Sequence, residues 1–160
     1  MLLTDKVALV TGAGRGIGKA ISLRFAEEGA SLILCARTAS QLQEVTDAIR
    51  SIGWPCLSAV VDVAKEDEVK RLVRDGLEQF GQIDILVNNA GISNPKPFLE
   101  TSNADWDDAI DVNLKGVVFC ARAILPSMLQ RGPARWSTSH LPRVCGDSRG
   151  VRPIPRQSSR

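Results

Sequence analysis

The run Thr11-Gly12-Ala13-Gly14-Arg15-Gly16-Ile17-Gly18 follows an apolar stretch, Lys6 to Val10, and opens an amphipathic one. Glycines in that setting mark a corner where a strand turns abruptly into a helix. Gly12 can take backbone angles closed to residues that carry a Cβ, while Gly16 and Gly18 let backbone approach a ligand and let the helix pack closely on a sheet. A helix starting here points unpaired N–H groups and the positive end of its dipole at whatever lies before it. The chemistry such a corner supports is the holding of a nucleotide pyrophosphate.

The elements around that corner alternate. Short apolar runs at Lys6 to Thr11, Ser31 to Ala36, Leu57 to Asp62 and Ile83 to Asn88 read as strands buried on both faces, as in a parallel sheet. Between them, Ile17, Ile21 and Phe25, then Leu42, Val45 and Ile49, then Val69, Val73, Leu77 and Phe80 recur at helical spacing and mark three one-sided helices. Gly29, Gly53 and Gly81 stand where left-handed C-terminal caps are wanted. After a proline-containing loop, Ser93 to Phe98, a segment over Ser102 to Val112 precedes a long helix over about Asn113 to Gln130, which Pro126 should kink or end. The expected architecture is α/β: a Rossmann-type doubly wound parallel sheet, incomplete at about four strands, with ligand at the carboxyl edge of the strands.

The chain has 160 residues, 44% of them apolar and 24% charged, which gives room for one domain and one core. No apolar run reaches the ~20 residues that span a bilayer, and Met1 to Asp5 is too short and polar for a secretion signal. A soluble, cytoplasmic protein with no membrane partner is expected. Cys35, Cys56, Cys120 and Cys145 show no C-x-x-C pairing and read as free thiols in a reducing compartment. The net charge of +2 conceals a division: through Gln130 there are 13 Lys+Arg against 17 Asp+Glu, whereas from Arg131 onward there are 7 Arg and a single acid, Asp147. Arg, Ser and Pro make up 16 of those last 30 residues and helical or strand periodicity stops, so residues 131–160 read as a disordered or irregular tail after a domain over 1–130. With neither lysine nor an aromatic ladder, the tail is not expected to bind nucleic acid.

Thr11-Gly12-x-x-x-Gly16-Ile17-Gly18, then Asn88-Asn89-Ala90-Gly91, then Asn113, taken in order, resemble the classical short-chain dehydrogenase/reductase family over roughly Lys6 to Gln130. The resemblance implies an oxidoreductase that interconverts a small-molecule alcohol and a carbonyl with a nicotinamide dinucleotide, usually as a homodimer or homotetramer. It places Gly12, Arg15, Gly16, Ile17 and Gly18 at the pyrophosphate, Asp62 and Val63 at the adenine ring, and Asn89, Ala90 and Gly91 beside the cofactor ribose. It makes Asn113 the asparagine that holds a proton-relay water. Each has a plainer alternative: a helix N-cap for Asp62, a structural turn for Asn88 to Gly91, and helix-start capping for Asn113. Relatives that use NAD(H) carry an acid near the end of the second strand. Here that place holds Ala36 followed by Arg37, and Arg37 with Arg15 can clamp a 2′-phosphate, so NADP(H) is favoured over NAD(H).

The same resemblance calls for a serine, a tyrosine and a lysine four residues after the tyrosine. The chain has no tyrosine and no lysine beyond Lys115, and Ser137, Ser139 and His140 lack strand context that would assign them. A one-base slip near Pro133 accounts for this. Joining the last base of each codon to the first two of the next permits Val-Asn-Ile-Ser-Ser from Trp136/Ser137 through His140/Leu141. The same shift permits Tyr at Pro153/Ile154 and Lys at Gln157/Ser158, in the family's spacing. A truncated or misread oxidoreductase is therefore expected, with little activity as written and an unpaired edge on the strand Ile83 to Asn88. The alternatives are a non-catalytic dinucleotide-binding module and an interaction protein that works through its basic tail.

Overall fold

The computed structural model describes residues 1–93, 95–131 and 137–138, the last two by backbone only. Ser139, His140, Cys145 and the codon junctions that would read Tyr and Lys lie outside the described residues, as does the rest of the tail beyond Arg131.

The chain alternates strand and helix in the order β1 Val7–Thr11, α1 Gly16–Glu27, β2 Ser31–Ala36, α2 Ala39–Ser51, β3 Cys56–Val60, α3 Glu66–Phe80 and β4 Ile85–Asn88. There follow α4 Asn103–Ile110, a π-helical turn Asp111–Lys115, α5 Gly116–Gln130 and a two-residue β5, Ser137–Thr138. The sheet order is β3-β2-β1-β4-β5 with every pairing parallel. This is the doubly wound Rossmann-type arrangement, in which the strand order reverses beside β1. Registers such as Thr11 opposite Cys35 and Ala36 opposite Val60 bring the carboxyl ends of β1, β2 and β3 to one edge.

Alternation along β1 divides the core in two. Val7 and Leu9 join Ile33, Val69, Val73 and Ile124 on the face covered by α3 and α5. Ala8 and Val10 join Leu32, Leu34, Val45 and Ile49 on the other, beneath α1 and α2. Burial on both faces is why these strands read as unbroken apolar runs. Gly29, Gly53 and Gly81 have φ of 93°, 88° and 72°, the left-handed values expected where helices stop.

Three features differ from the sequence expectation. First, Asn113 does not start a helix: α4, the π turn and α5 form one helix of 28 residues, Asn103–Gln130, and Asn113 sits in the π turn. Second, of the kink or end expected at Pro126, the end does not occur: the helix runs on to Gln130, with Ile124 and Met128, both buried, holding its last turns against the sheet. By length and composition this helix could cross a bilayer, but Val112, Gly116, Cys120, Ile124 and Met128 form a buried stripe at four-residue spacing, as in a helix packed on a sheet. Third, β4 is not bare at its outer edge: Val87 and Asn88 pair with Ser137 and Thr138. Backbone donors and acceptors along a strand edge accept an extended segment whatever its side chains.

Candidate coenzyme site

The loops leaving β1, β2, β3 and β4 meet around a cavity of about 120 Å³. Its walls are Gly12, Gly14 and Arg15 from the first loop, Ala36, Arg37, Thr38 and Gln41 from the second, Val61, Asp62 and Val63 from the third, and Ala90 and Gly91 from the fourth, with Val112 behind. A wider hollow along α3 is a solvated helix face whose charges pair with one another, as Lys70 does with Glu66 at 3.1 Å.

Close approach explains the glycines. Gly12 has φ 63°, and a Cβ there would lie 2.9 Å from Ala90 Cα. A Cβ on Gly18 would fall on the Gly12 carbonyl oxygen and 2.5 Å from Asn89 Nδ2. Gly16 differs: a Cβ there would meet nothing within 4 Å, and its φ of 55° is the reason for glycine. Arg15 is the N-cap of α1 and its side chain makes no capping bond, so the first N–H groups of α1 remain open toward the cavity edge. Ile17 is exposed on that first turn.

Asn89 ties the fourth loop to the first. Its Nδ2 donates to the Thr11 and Gly12 carbonyls at 3.1 and 3.2 Å, bonds to a distant loop rather than a local turn. Thr11, buried at the end of β1, completes the tie: its hydroxyl accepts the Asn89 and Ala90 N–H groups at 3.0 and 2.9 Å and donates to the Val87 carbonyl at 3.3 Å. Sequence reasoning passed over this hydroxyl because a β-branched residue closing an apolar run reads as strand packing. Asn113 grips Ile92, just beyond Gly91, through both ends of its amide: Oδ1 accepts the Ile92 N–H at 2.8 Å and Nδ2 donates to the Ile92 carbonyl at 2.9 Å.

Asp62 is not a helix N-cap. The cap of α3 is Lys65, and Asp62 Oδ1 instead accepts the Ala64 N–H at 3.1 Å inside the turn after β3. Its other carboxylate oxygen takes no hydrogen bond from the described residues. The Asp62 N–H donates to Glu68 Oε2 at 2.8 Å, and this bond, ahead of Lys65, holds the Glu68 carboxyl below its ordinary range. Arg15 and Arg37 are exposed, and neither guanidinium forms an ion pair with the described residues. Beneath the first loop, burial pushes the Cys35 thiol far up from its usual value. No cluster of metal-ligating side chains occurs among the described residues.

A glycine corner shaped by backbone contact, an open helix start, two guanidiniums without ion pairs among the described residues and a half-used carboxylate line one cavity, an arrangement suited to a phosphorylated nucleotide. Residues 6–135 match the family model described as short chain dehydrogenase. The chain belongs to the short-chain dehydrogenase family. It is 41% identical over 128 residues to the 3-oxoacyl-[acyl-carrier-protein] reductase FabG of Staphylococcus epidermidis, a match covering 79% of this chain and 52% of that one. It is 38% identical over 135 residues to (2S)-[(R)-hydroxy(phenyl)methyl]succinyl-CoA dehydrogenase subunit BbsD of Thauera aromatica, covering 84% and 54%. A solved structure of a Serratia marcescens short-chain dehydrogenase/reductase mutant superposes with a TM-score of 0.77 at 33% identity, over 80% of this chain and 53% of the other. The chain thus spans about half the length of the curated relatives it matches.

Proposed function

We propose that this short-chain dehydrogenase chain is the coenzyme-holding part of an NADP(H)-dependent oxidoreductase that interconverts an alcohol and a carbonyl. The observation that carries the proposal is the convergence of four strand-end loops on one cavity, with Arg15 and Arg37 unpaired beside it. The coenzyme, when bound, supplies the hydride chemistry. The chain's own residues do the holding. Gly12, Gly16, Ile17 and Gly18 present backbone to the diphosphate, Asp62 and Val63 border the adenine, and Asn89, Ala90 and Gly91 border the ribose. Arg15 and Arg37 clamp a 2′-phosphate through charge-assisted bonds that an acid at Ala36 would have opposed. Asn113, fixed to Ile92, stands where the family keeps its relay asparagine.

The names of the relatives point to a 3-oxoacyl thioester or a related carbonyl as the substrate class, and the family habit points to a homodimer or homotetramer in the cytoplasm. With no tyrosine in the chain, the proton donor of that chemistry is missing, so the sequence as written binds coenzyme without turnover. The one-base slip near Pro133 supplies the reason. It also permits Val-Asn-Ile, two β-branched apolar residues about a polar one, across the segment that includes Ser137 and Thr138. Independent sequencing of the coding DNA across codons 130 to 160 checks the slip; an unbroken frame encoding the tail as written would end it.

Fluorescence titration with NADPH and NADH checks the coenzyme site. NADPH is expected to bind more tightly, and Arg37→Ala is expected to weaken NADPH by about tenfold or more while leaving NADH nearly unchanged, as follows from losing a hydrogen bond to a charged group. A well-folded chain that ignores both coenzymes would overturn the proposal.

A further inference from the structure

In a capping box, a Glu three residues into a helix turns back to bond the N–H of the N-cap residue. Among the described residues there is one complete box, at α4, where the Asp105 carboxylate accepts the Ser102 N–H at 2.9 Å and the Ser102 hydroxyl accepts the Asp105 N–H at 3.2 Å. Glu68 occupies the equivalent place in α3, three residues after the N-cap Lys65, but it does something else. The Lys65 N–H is already taken by the Asp62 carbonyl at 2.9 Å. Glu68 therefore reaches past the cap, and its Oε2 accepts the Asp62 N–H at 2.8 Å while Oε1 lies 3.2 Å from Lys65 Nζ.

The timing of that bond along the chain matters. The Val61 N–H still bonds across to the Ala36 carbonyl at 3.2 Å, but at Asp62 the backbone has left the sheet and its N–H has no strand acceptor. Val61 and Val63, both buried, fix the chain on either side. The direction in which Asp62 presents its carboxylate is then set by three bonds: Ala64 N–H to Oδ1, Lys65 N–H to the Asp62 carbonyl, and Asp62 N–H to Glu68. Only the last involves the side chain of another residue.

We infer that Glu68 is a positioning residue for the adenine-facing carboxylate of Asp62, so that the first turn of α3 sets affinity for the adenosine end of the coenzyme without touching it. Its premise is the coenzyme site proposed above. The test compares wild type, Glu68→Ala, Glu68→Gln and Lys65→Ala by calorimetric titration with adenosine 2′,5′-bisphosphate and with reduced nicotinamide mononucleotide, which lacks the adenosine end. Thermal midpoints are recorded for each protein. Glu68→Ala is expected to weaken the bisphosphate about fivefold, the loss of one hydrogen bond, and to leave the mononucleotide unchanged. Glu68→Gln keeps an acceptor oxygen and is expected to bind as wild type. Lys65→Ala removes the ion pair but not the Asp62 bond, so it should lower the midpoint without changing bisphosphate affinity. Equal affinity of Glu68→Ala and wild type for the bisphosphate overturns the inference and spares the coenzyme site; so does equal weakening by Glu68→Ala and Lys65→Ala. A folded wild type that fails to bind the bisphosphate overturns both.

Discussion

Asn113 holds Ile92 as one edge of a base pair holds another, accepting its N–H at 2.8 Å and donating to its carbonyl at 2.9 Å. The bond pair joins the π turn in the long helix to the loop leaving β4. The two backbone groups of Ile92 present opposite polarity, and only a primary amide matches both. Asn113→Ala is expected to cost about 1 kcal/mol of stability, the usual worth of such bonds at an exposed residue. Asn113→Asp should cost more than Asn113→Ala, because the oxygen replacing Nδ2 would face the Ile92 carbonyl. Urea denaturation of the three proteins checks this; an Asp variant more stable than the Ala variant would contradict it.

Thr11 gives a sharper contrast because it is buried, at 1% exposure. Thr11→Val keeps the shape but removes an acceptor from the Asn89 and Ala90 N–H groups, of which Asn89 keeps the Val87 carbonyl at 3.1 Å. Leaving the Ala90 donor unsatisfied costs roughly 1 to 3 kcal/mol. Thr11→Ser retains the hydroxyl, and its lost methyl group should cost no more than about 1 kcal/mol. Denaturation midpoints that rank Ser above Val establish the hydroxyl as the tie between the first and fourth loops; the reverse ranking would make Thr11 a packing residue only.

Much of this was legible in the residue pattern, and what was hidden has specific causes. β2, at Ser31–Ala36, coincides with its apolar run, and the glycines at 29, 53 and 81 mark helix ends, because burial on both faces and left-handed backbone each leave a one-residue signature. The π turn left no such mark. The sequence pattern separates a segment over Ser102 to Val112 from a long helix over about Asn113 to Gln130, whereas the π turn carries one helix through from Asn103 to Gln130. Glu68 was hidden for a different reason: its type and place are those of an ordinary cap, and only coordinates show that the Lys65 N–H was already occupied. Strand β5 was illegible because edge pairing by backbone does not require apolar side chains.

Gly18 separates close packing from helix propensity. In an open helix, Gly→Ala stabilises by up to about 1 kcal/mol. At Gly18 a new methyl would press on the Gly12 carbonyl oxygen and Asn89 Nδ2, so Gly18→Ala should instead destabilise by about 1 to 3 kcal/mol, the usual cost of overpacking. It should also displace the glycine loop and, on the proposed function, weaken NADPH binding. Thermal melts and titration of Gly18→Ala beside Gly16→Ala test this. In Gly16→Ala the methyl would meet no atom, so any cost comes from its φ of 55° alone. A stabilised Gly18→Ala would refute the close contact.

The thiols connect burial to pH. Burial raises the Cys120 thiol to about 12 and the Cys56 thiol to about 11, the latter although a hydrogen bond with the Thr46 hydroxyl and the charge of Arg50 pull the other way. In the unfolded chain these groups titrate near ~8.5. Above that pH the unfolded state holds fewer protons than the folded one, so stability is fully present below about 8.5 and declines as pH rises toward the folded values. In Cys145→Ser, where the three remaining thiols are buried, native protein at pH 8 should react with a disulfide reagent only as fast as it unfolds, and all three thiols should react at once in denaturant. Denaturation between pH 7 and 10 should show stability falling with pH, and replacing Cys120 by Ala should flatten that slope. A fast-reacting thiol in the native Cys145→Ser protein would show that a face of the core is open to water, and a slope unaffected by Cys120→Ala would show it of the α5 face.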